Sequence, residues 1–256
     1  IFFLMGLTVL NMRGVKESVL TMTPVFLLFV VTHLVLIVGA IALHSDQLPE
    51  TARSVQGGFD RGLTTLGLGG MLLLFVHAYS LGGGTYTGIE AVSNGLGIMR
   101  EPRVQTGKRT MLYMAVSLAF TAGGLIICYL LWNVHHEPGK TMNWVLARSF
   151  AGESVMGDTF VVATLVSEGA LLVVAAQAGF VGGPRVLANM AIDSWMPHRF
   201  AALSDRLAQE NGIVMMGLAS LGALLYTGGN VSQLVVMYSI NVFVTFSLSM
   251  LAMLLY

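Results

Sequence analysis

The sequence predicts an all-α polytopic membrane protein, and three observations predict it. Of its 256 residues 55% are hydrophobic and only 10% charged, with a mean hydropathy of +0.77, whereas soluble domains carry roughly 25% charged residues. Apolar runs about as long as a bilayer core is thick recur along the chain. One of these runs, 63–98, is interrupted by Gly82-Gly83-Gly84-Thr85-Tyr86-Thr87-Gly88-Ile89-Glu90. Each glycine costs a helix interior roughly 1 kcal/mol relative to alanine, so three in succession favour a break. Broken backbone at membrane depth survives only when buried in protein or facing a watery cavity. Half-helices of this kind place free N–H and C=O groups beside a transported substrate. The stretch is therefore expected to form the floor of a binding site.

In chain order, residues 1–11 are apolar and too short to span, and read as the tail of an earlier helix. Asn11-Met12-Arg13-Gly14-Val15-Lys16-Glu17-Ser18 is a polar connector, and 24–43 gives 20 largely apolar residues, enough to cross. Residues 44–62 are mixed, polar and glycine-containing. The run 63–98, broken at 82–88, leads into a basic loop, 99–110. A clean span at 111–132 precedes a hydrophilic stretch, 133–158. A span at 159–183 is followed by polar residues 184–212, helical near 186–191. Residues 213–227 form an apolar helix short for a span, Gly228-Gly229-Asn230 a turn, and 231–256 the last span. The chain opens on Ile1 within one apolar run and closes on Tyr256 within another, so it is expected to be a fragment of a longer polytopic protein, one transmembrane domain over 1–256.

Charge sets orientation and limits partners. Lys and Arg equal Asp and Glu at 13 each, which gives no reason to expect a nucleic acid. Loops 11–20, 99–110 and 184–212 hold Arg13, Lys16, Arg100, Arg103, Lys108, Arg109, Arg185, Arg199 and Arg206. The other connectors hold only Arg53, Arg61, Lys140 and Arg148. The richer side is expected to face the cytoplasm across a plasma membrane. The single cysteine, Cys128, offers neither a disulfide framework nor a metal-ligand set, and His135-His136 lacks a third ligand. The triple glycine is not a phosphate loop, since no Lys-Ser/Thr follows, and no nucleophile–base constellation stands out. No cofactor, no metal and no enzymatic activity are expected.

Four stretches resemble the amino acid–polyamine–organocation (APC) permeases. Residues 11–18 are similar to the connector before their fifth helix, and Thr87-Gly88-Ile89-Glu90-Ala91 with Glu101-Pro102-Arg103 to their sixth helix and following loop. Pro184-Arg185-Val186-Leu187-Ala188-Asn189-Met190-Ala191, with Asp193 and Pro197, resembles the stretch after helix eight. Tyr238-Ser239-Ile240-Asn241-Val242-Phe243 and Phe246-Ser247-Leu248-Ser249 resemble helix ten. The sixth-, eighth- and tenth-helix motifs look closest to the KimA-type potassium-uptake branch. The resemblance implies a LeuT-type fold of inverted repeats with a broken sixth helix, of which this chain would hold about helices four or five to ten.

The residues that would carry chemistry follow from both readings. Gly83 and Gly84 open the backbone, and Thr85, Tyr86 and Tyr238 offer oxygens for a dehydrated cation or a polar solute. Thr87 and Glu90 have the spacing of a capping box, so they close the start of the inner half-helix, or Glu90 handles a proton or cation, or both. By resemblance, Thr87, Glu90 and Tyr238 match positions that the potassium branch uses for ion handling and coupling. Glu168 is expected to snorkel from the outer end of its span, and His33 and His77 to pack within helices, with a pathway role for His77 as the lesser alternative. Asn241 is expected to bond between helices. Residues 169–183 contain no Ser or Thr, and LeuT-type sodium sites draw hydroxyls from that helix, so the proton is the expected coupling ion. Secondary transport is the function expected, of K⁺ narrowly ahead of an amino acid, with a channel or a non-transporting membrane protein as remote alternatives. The expected partners are a small molecule or cation and the lipid bilayer, and a homodimer is one possible assembly.

Overall fold

The computed structural model of the protein describes residues 1–13, 16–86, 88, 92–93 and 95–255, with the backbone alone for 16–22, 85, 86 and 98. Among these residues there is no strand. The α-helices whose bounds fall among the described residues run α1 Phe2–Arg13, α2 Lys16–Leu43, α3 Leu48–Leu81, α4 Arg103–Leu131, α5 Met142–Ala151, α6 Val155–Ile192, α7 Glu210–Tyr226 and α8 Val231–Leu255. Among the described residues five helical stretches are long and apolar enough to cross a membrane, four within α2, α4, α6 and α8 and one, Ser45–Gly84, that takes in α3 and the 3₁₀ turns at its ends, which makes this a multi-pass membrane protein.

The helices start where the sequence supplies caps. Thr141 Oγ1 accepts from Trp144 N at 3.1 Å before α5, and Ser154 Oγ from Gly157 N at 3.0 Å before α6. Asn230 Oδ1 accepts from Gln233 N at 3.2 Å before α8. Each satisfies an N–H that the first turn leaves without an intrahelical partner.

Two boundaries differ from the sequence expectation. The polar stretch after residue 44 does not remain a connector: it enters α3 at Leu48, and the helix continues to Leu81 with one interruption at Gly67 (φ +67°). Good helix formers (Leu48, Glu50, Ala52, Arg53, Gln56) outweigh the Gly57-Gly58 pair there. The second difference lies at Pro184, expected to end a span. The 38-residue α6 passes through it to Ile192. Proline removes one backbone donor, a loss that membrane helices tolerate where neighbours satisfy the freed carbonyl.

The chain divides into two compact units, residues 1–15, 62–111 and 177–256 in the first and 16–61 and 112–176 in the second. The core of the second unit is made by Leu36, Ile37, Ala40, Cys128, Val134, Leu146, Ala147 and Val161. On α2 the buried positions Thr32, His33, Leu36, Ile37 and Ala40 recur every three or four residues, one face of a helix. Glycines bring the neighbours close. A Cβ at Gly39 would stand 2.6 Å from Phe150 Cζ, and one at Gly124 2.6 Å from Ile37 Cγ2. Trp132 Nε1 donates to Ala40 O at 3.1 Å.

In the first unit α1 packs on α7, where a Cβ at Gly217 would meet Thr8 Oγ1 at 2.7 Å. Asn11 and Gln177, both buried, exchange two amide hydrogen bonds. Asn11 Nδ2 donates to Gln177 Oε1 at 2.8 Å, and Gln177 Nε2 donates to Asn11 Oδ1 at 2.6 Å. A reciprocal pair leaves no buried amide dipole unmatched and fixes the two helices against each other.

Candidate functional site

The glycine-rich stretch lies where α3 ends. After Leu81 the α-helix gives way to a 3₁₀ segment, Gly82–Tyr86. The tighter winding follows from composition: glycines have little to lose in side-chain packing, and poor 3₁₀ hydrogen-bond geometry is held only over short runs.

This segment packs against α8 within the same unit. Gly83 is buried and Gly84 partly so. A Cβ on Gly83 would approach Phe243 Cε2 to 2.6 Å, and one on Gly84 would approach Tyr238 Cε1 to 2.6 Å. At either position a larger residue would have to displace an aromatic ring. Tyr79, on the last turns of α3, stands 6.0 Å from Phe243 between ring centroids, and Phe75 lies 6.1 Å from Tyr79. An aromatic wall thus runs from the end of α3 onto α8.

Of the residues singled out in the sequence, the structure brings Gly83, Gly84 and Tyr238 together. Tyr238 is 46% exposed, so its ring covers Gly84 without being enclosed. Thr85 and Tyr86 belong to the 3₁₀ segment by backbone, and their side chains lie outside the described residues, as do Thr87 and Glu90 altogether. Asn241 Nδ2 donates along its own helix, to Met237 O one turn back on α8, at 2.9 Å, rather than to another helix among the described residues. His77 is exposed on α3, where its carbonyl accepts from Ser80 Oγ at 2.7 Å.

Ser239, next to Tyr238, is not among the residues that the sequence singles out for a site. It is buried and its Oγ has no hydrogen-bond partner among the described residues. A buried hydroxyl left without a partner is unusual. A single serine in an apolar run gives no sign of this, because its accessibility depends on residues far away in sequence.

Glu168 keeps a partly exposed side chain, as a partly wet carboxyl would, but it also meets two partners inside the second unit that the sequence does not announce: Asn143 Nδ2 donates to its Oε1 at 2.8 Å, and His33 Nε2 lies 3.1 Å from the same oxygen. Tyr129 OH donates to Asn143 Oδ1. Alongside, Thr32 Oγ1 lies 3.3 Å from Ser167 Oγ, which donates to Thr164 O at 2.7 Å. His33 packs as expected, and its partner is the surprise. Among the described residues no group of three or more His, Cys, Asp or Glu side chains could hold a metal ion.

Comparison with known proteins covers the whole chain. Residues 1–256 match the family model described as amino acid permease. The chain is 32% identical over 255 residues to the potassium transporter KimA of Bacillus subtilis (strain 168), an alignment that takes in 99% of this chain and 40% of that protein.

Proposed function

The chain belongs to the amino acid permease family, within the APC superfamily, and from that premise we propose that it is the core of a secondary active transporter that takes up K⁺ with protons. The observation that carries this reading is the end of α3 at Leu81, where a 3₁₀ segment lays Gly83 and Gly84 against Phe243 and Tyr238. A helix that changes its winding inside a membrane-spanning run turns backbone carbonyls and hydroxyls off the regular α pattern, and oxygens of both kinds suit a dehydrated hard cation. In this reading Gly83, Gly84, Thr85, Tyr86, Thr87 and Tyr238 line the cation site, and Glu90 takes up and releases the coupling proton. A carboxyl that exchanges a proton beside a cation site can link the two fluxes, because each charge alters the cost of the other. The potassium transporter among its relatives favours K⁺. The family description favours an amino acid as the second reading, with the substrate carboxylate held by free N–H groups at a half-helix start.

Uptake into proteoliposomes by the intact protein, with and without an imposed pH gradient, separates these readings. K⁺ should accumulate against its gradient when protons drive it, and an amino acid mixture should not; accumulation of an amino acid in its place would overturn the K⁺ assignment. Glu90→Gln keeps a capping acceptor but not an exchangeable charge. It should lose gradient-driven accumulation and retain equilibrium exchange. A variant that accumulates K⁺ at the parent rate would leave Glu90 a cap only.

A further inference from the structure

The second unit contains a titratable pair that the transport reading does not use. His33 sits near the middle of the apolar stretch Thr23–Leu43, its side chain 2% exposed, and faces Glu168 on α6, 21% exposed. The directions of the surrounding hydrogen bonds can be assigned one by one. His33 Nδ1 lies 3.0 Å from Phe29 O and 3.3 Å from Thr32 Oγ1. The carbonyl can only accept, so Nδ1 carries a hydrogen, and the Thr32 hydroxyl, which itself donates to Phe29 O at 3.1 Å, faces that hydrogen as an acceptor. Tyr129 OH donates to Asn143 Oδ1, which fixes the amide so that its Nδ2 donates to Glu168 Oε1 at 2.8 Å. Oε1 is thus already an acceptor where it meets His33 Nε2 at 3.1 Å.

A neutral ring with its hydrogen on Nδ1 would present a bare Nε2 lone pair to a bare carboxylate oxygen. Two lone pairs do not hold 3.1 Å in a buried seam. One proton between them removes the conflict, either as imidazolium and carboxylate or as neutral imidazole and carboxylic acid. Both forms contain the same number of protons and leave the pair with no net charge, the condition under which ionisable groups persist at membrane depth. Phe29 stacks on the imidazole with ring centroids 3.9 Å apart, closing that face to water.

We propose that His33 and Glu168 form a proton-binding site, separate from Glu90, and that the proton held between Nε2 and Oε1 ties α2 to α6. Beside it, among the described residues, Thr32 meets Ser167. Loss of the proton leaves one ring hydrogen to serve two acceptors, Phe29 O and Glu168 Oε1, so one of the two contacts loses its bond. Among the described residues, the other titratable groups on the elements packed here are few. Tyr129 reaches the pair through Asn143, Cys128 Sγ donates to Ile37 O at 3.7 Å, and Arg148 and Asp158 pair with each other. None of them supplies a second proton to the Nε2–Oε1 contact. The proposal does not depend on the substrate or on transport.

The test uses the intact protein in lipid bilayers. With ¹⁵N-labelled histidine, the signal lost in His33→Gln identifies the ring. The expected parent spectrum shows both ring nitrogens protonated, or one protonated together with a carboxylic-acid C=O band that Glu168→Gln abolishes. A singly protonated ring facing an ionised Glu168 overturns the proposal. Thermal unfolding gives an independent readout through the single variants and the double variant His33→Gln/Glu168→Gln, an uncharged amide pair. Each single variant should lower stability more than the double variant does, because it leaves one partner of the pair unmatched. Additive losses overturn the tie between the helices. Should the double variant fail to fold, the parent spectra alone decide.

Discussion

Glycine brings elements together in both units, and the two uses differ in what surrounds the residue. In the second unit Gly39 lies inside the long regular helix α2, and its missing side chain admits the Phe150 ring. The backbone there is satisfied along the helix, so the glycine contributes closeness and nothing else. In the first unit Gly83 and Gly84 admit the rings of Phe243 and Tyr238 at the same 2.6 Å separation, but in a 3₁₀ segment just past a helix end. There the backbone is both close-packed and released from the α pattern. The contrast teaches that close approach inside a regular helix marks a packing seam alone, and that close approach at a helix end coincides with a change in the hydrogen-bond pattern of the backbone. The residue type is the same in both; its position in the hydrogen-bond ladder decides the outcome.

Substitutions can break this comparison. The largest effect is expected for Gly83→Ala combined with Gly84→Ala. Each methyl gains roughly 1 kcal/mol of α propensity and also meets a ring at 2.6 Å. Uptake into proteoliposomes should be lost while membrane insertion stays intact; normal uptake would show that the release of the backbone has no role. A middle effect is expected for Gly39→Val, which forces volume against Phe150 inside a regular helix. It should lower stability by about 1–3 kcal/mol, measured by thermal unfolding, with the uptake rate per folded molecule unchanged. The smallest belongs to Gly69→Ala in α3, where a Cβ meets nothing within 4 Å. Here the change should raise stability by up to about 1 kcal/mol and leave uptake as it was, and a loss of function would place Gly69 in a contact of its own.

What the sequence made legible was whatever is written locally. Three successive glycines in an apolar run announce a helix end without reference to any other residue, and the structure ends α3 at Leu81. The apolar spans are legible for the same reason, since length and composition decide them. The pairing of His33 with Glu168 was not legible, because 135 residues separate them and each alone reads as an isolated polar residue in a span. Ser239 stayed hidden on the same ground. The helix after residue 48 was missed because polar and glycine-rich composition imitates a connector, and the passage of α6 through Pro184 because proline usually ends a helix in water. Both errors come from reading one residue's preference where the neighbours outvote it. Thr87 and Glu90, prominent in the sequence, lie outside the described residues.

The kink at Gly67 sets a direction. From Gly62 to Leu81 a straight helix would rise about 1.5 Å per residue, roughly 30 Å in all. The chain does not take the straight course: at Gly67 the backbone turns to φ +67° and ψ 173°, outside the helical region. One rod becomes two, and the axis along which the later one arrives is chosen at the bend rather than at either end. A single residue more than a dozen positions upstream therefore steers where Gly83 and Gly84 meet Phe243 and Tyr238.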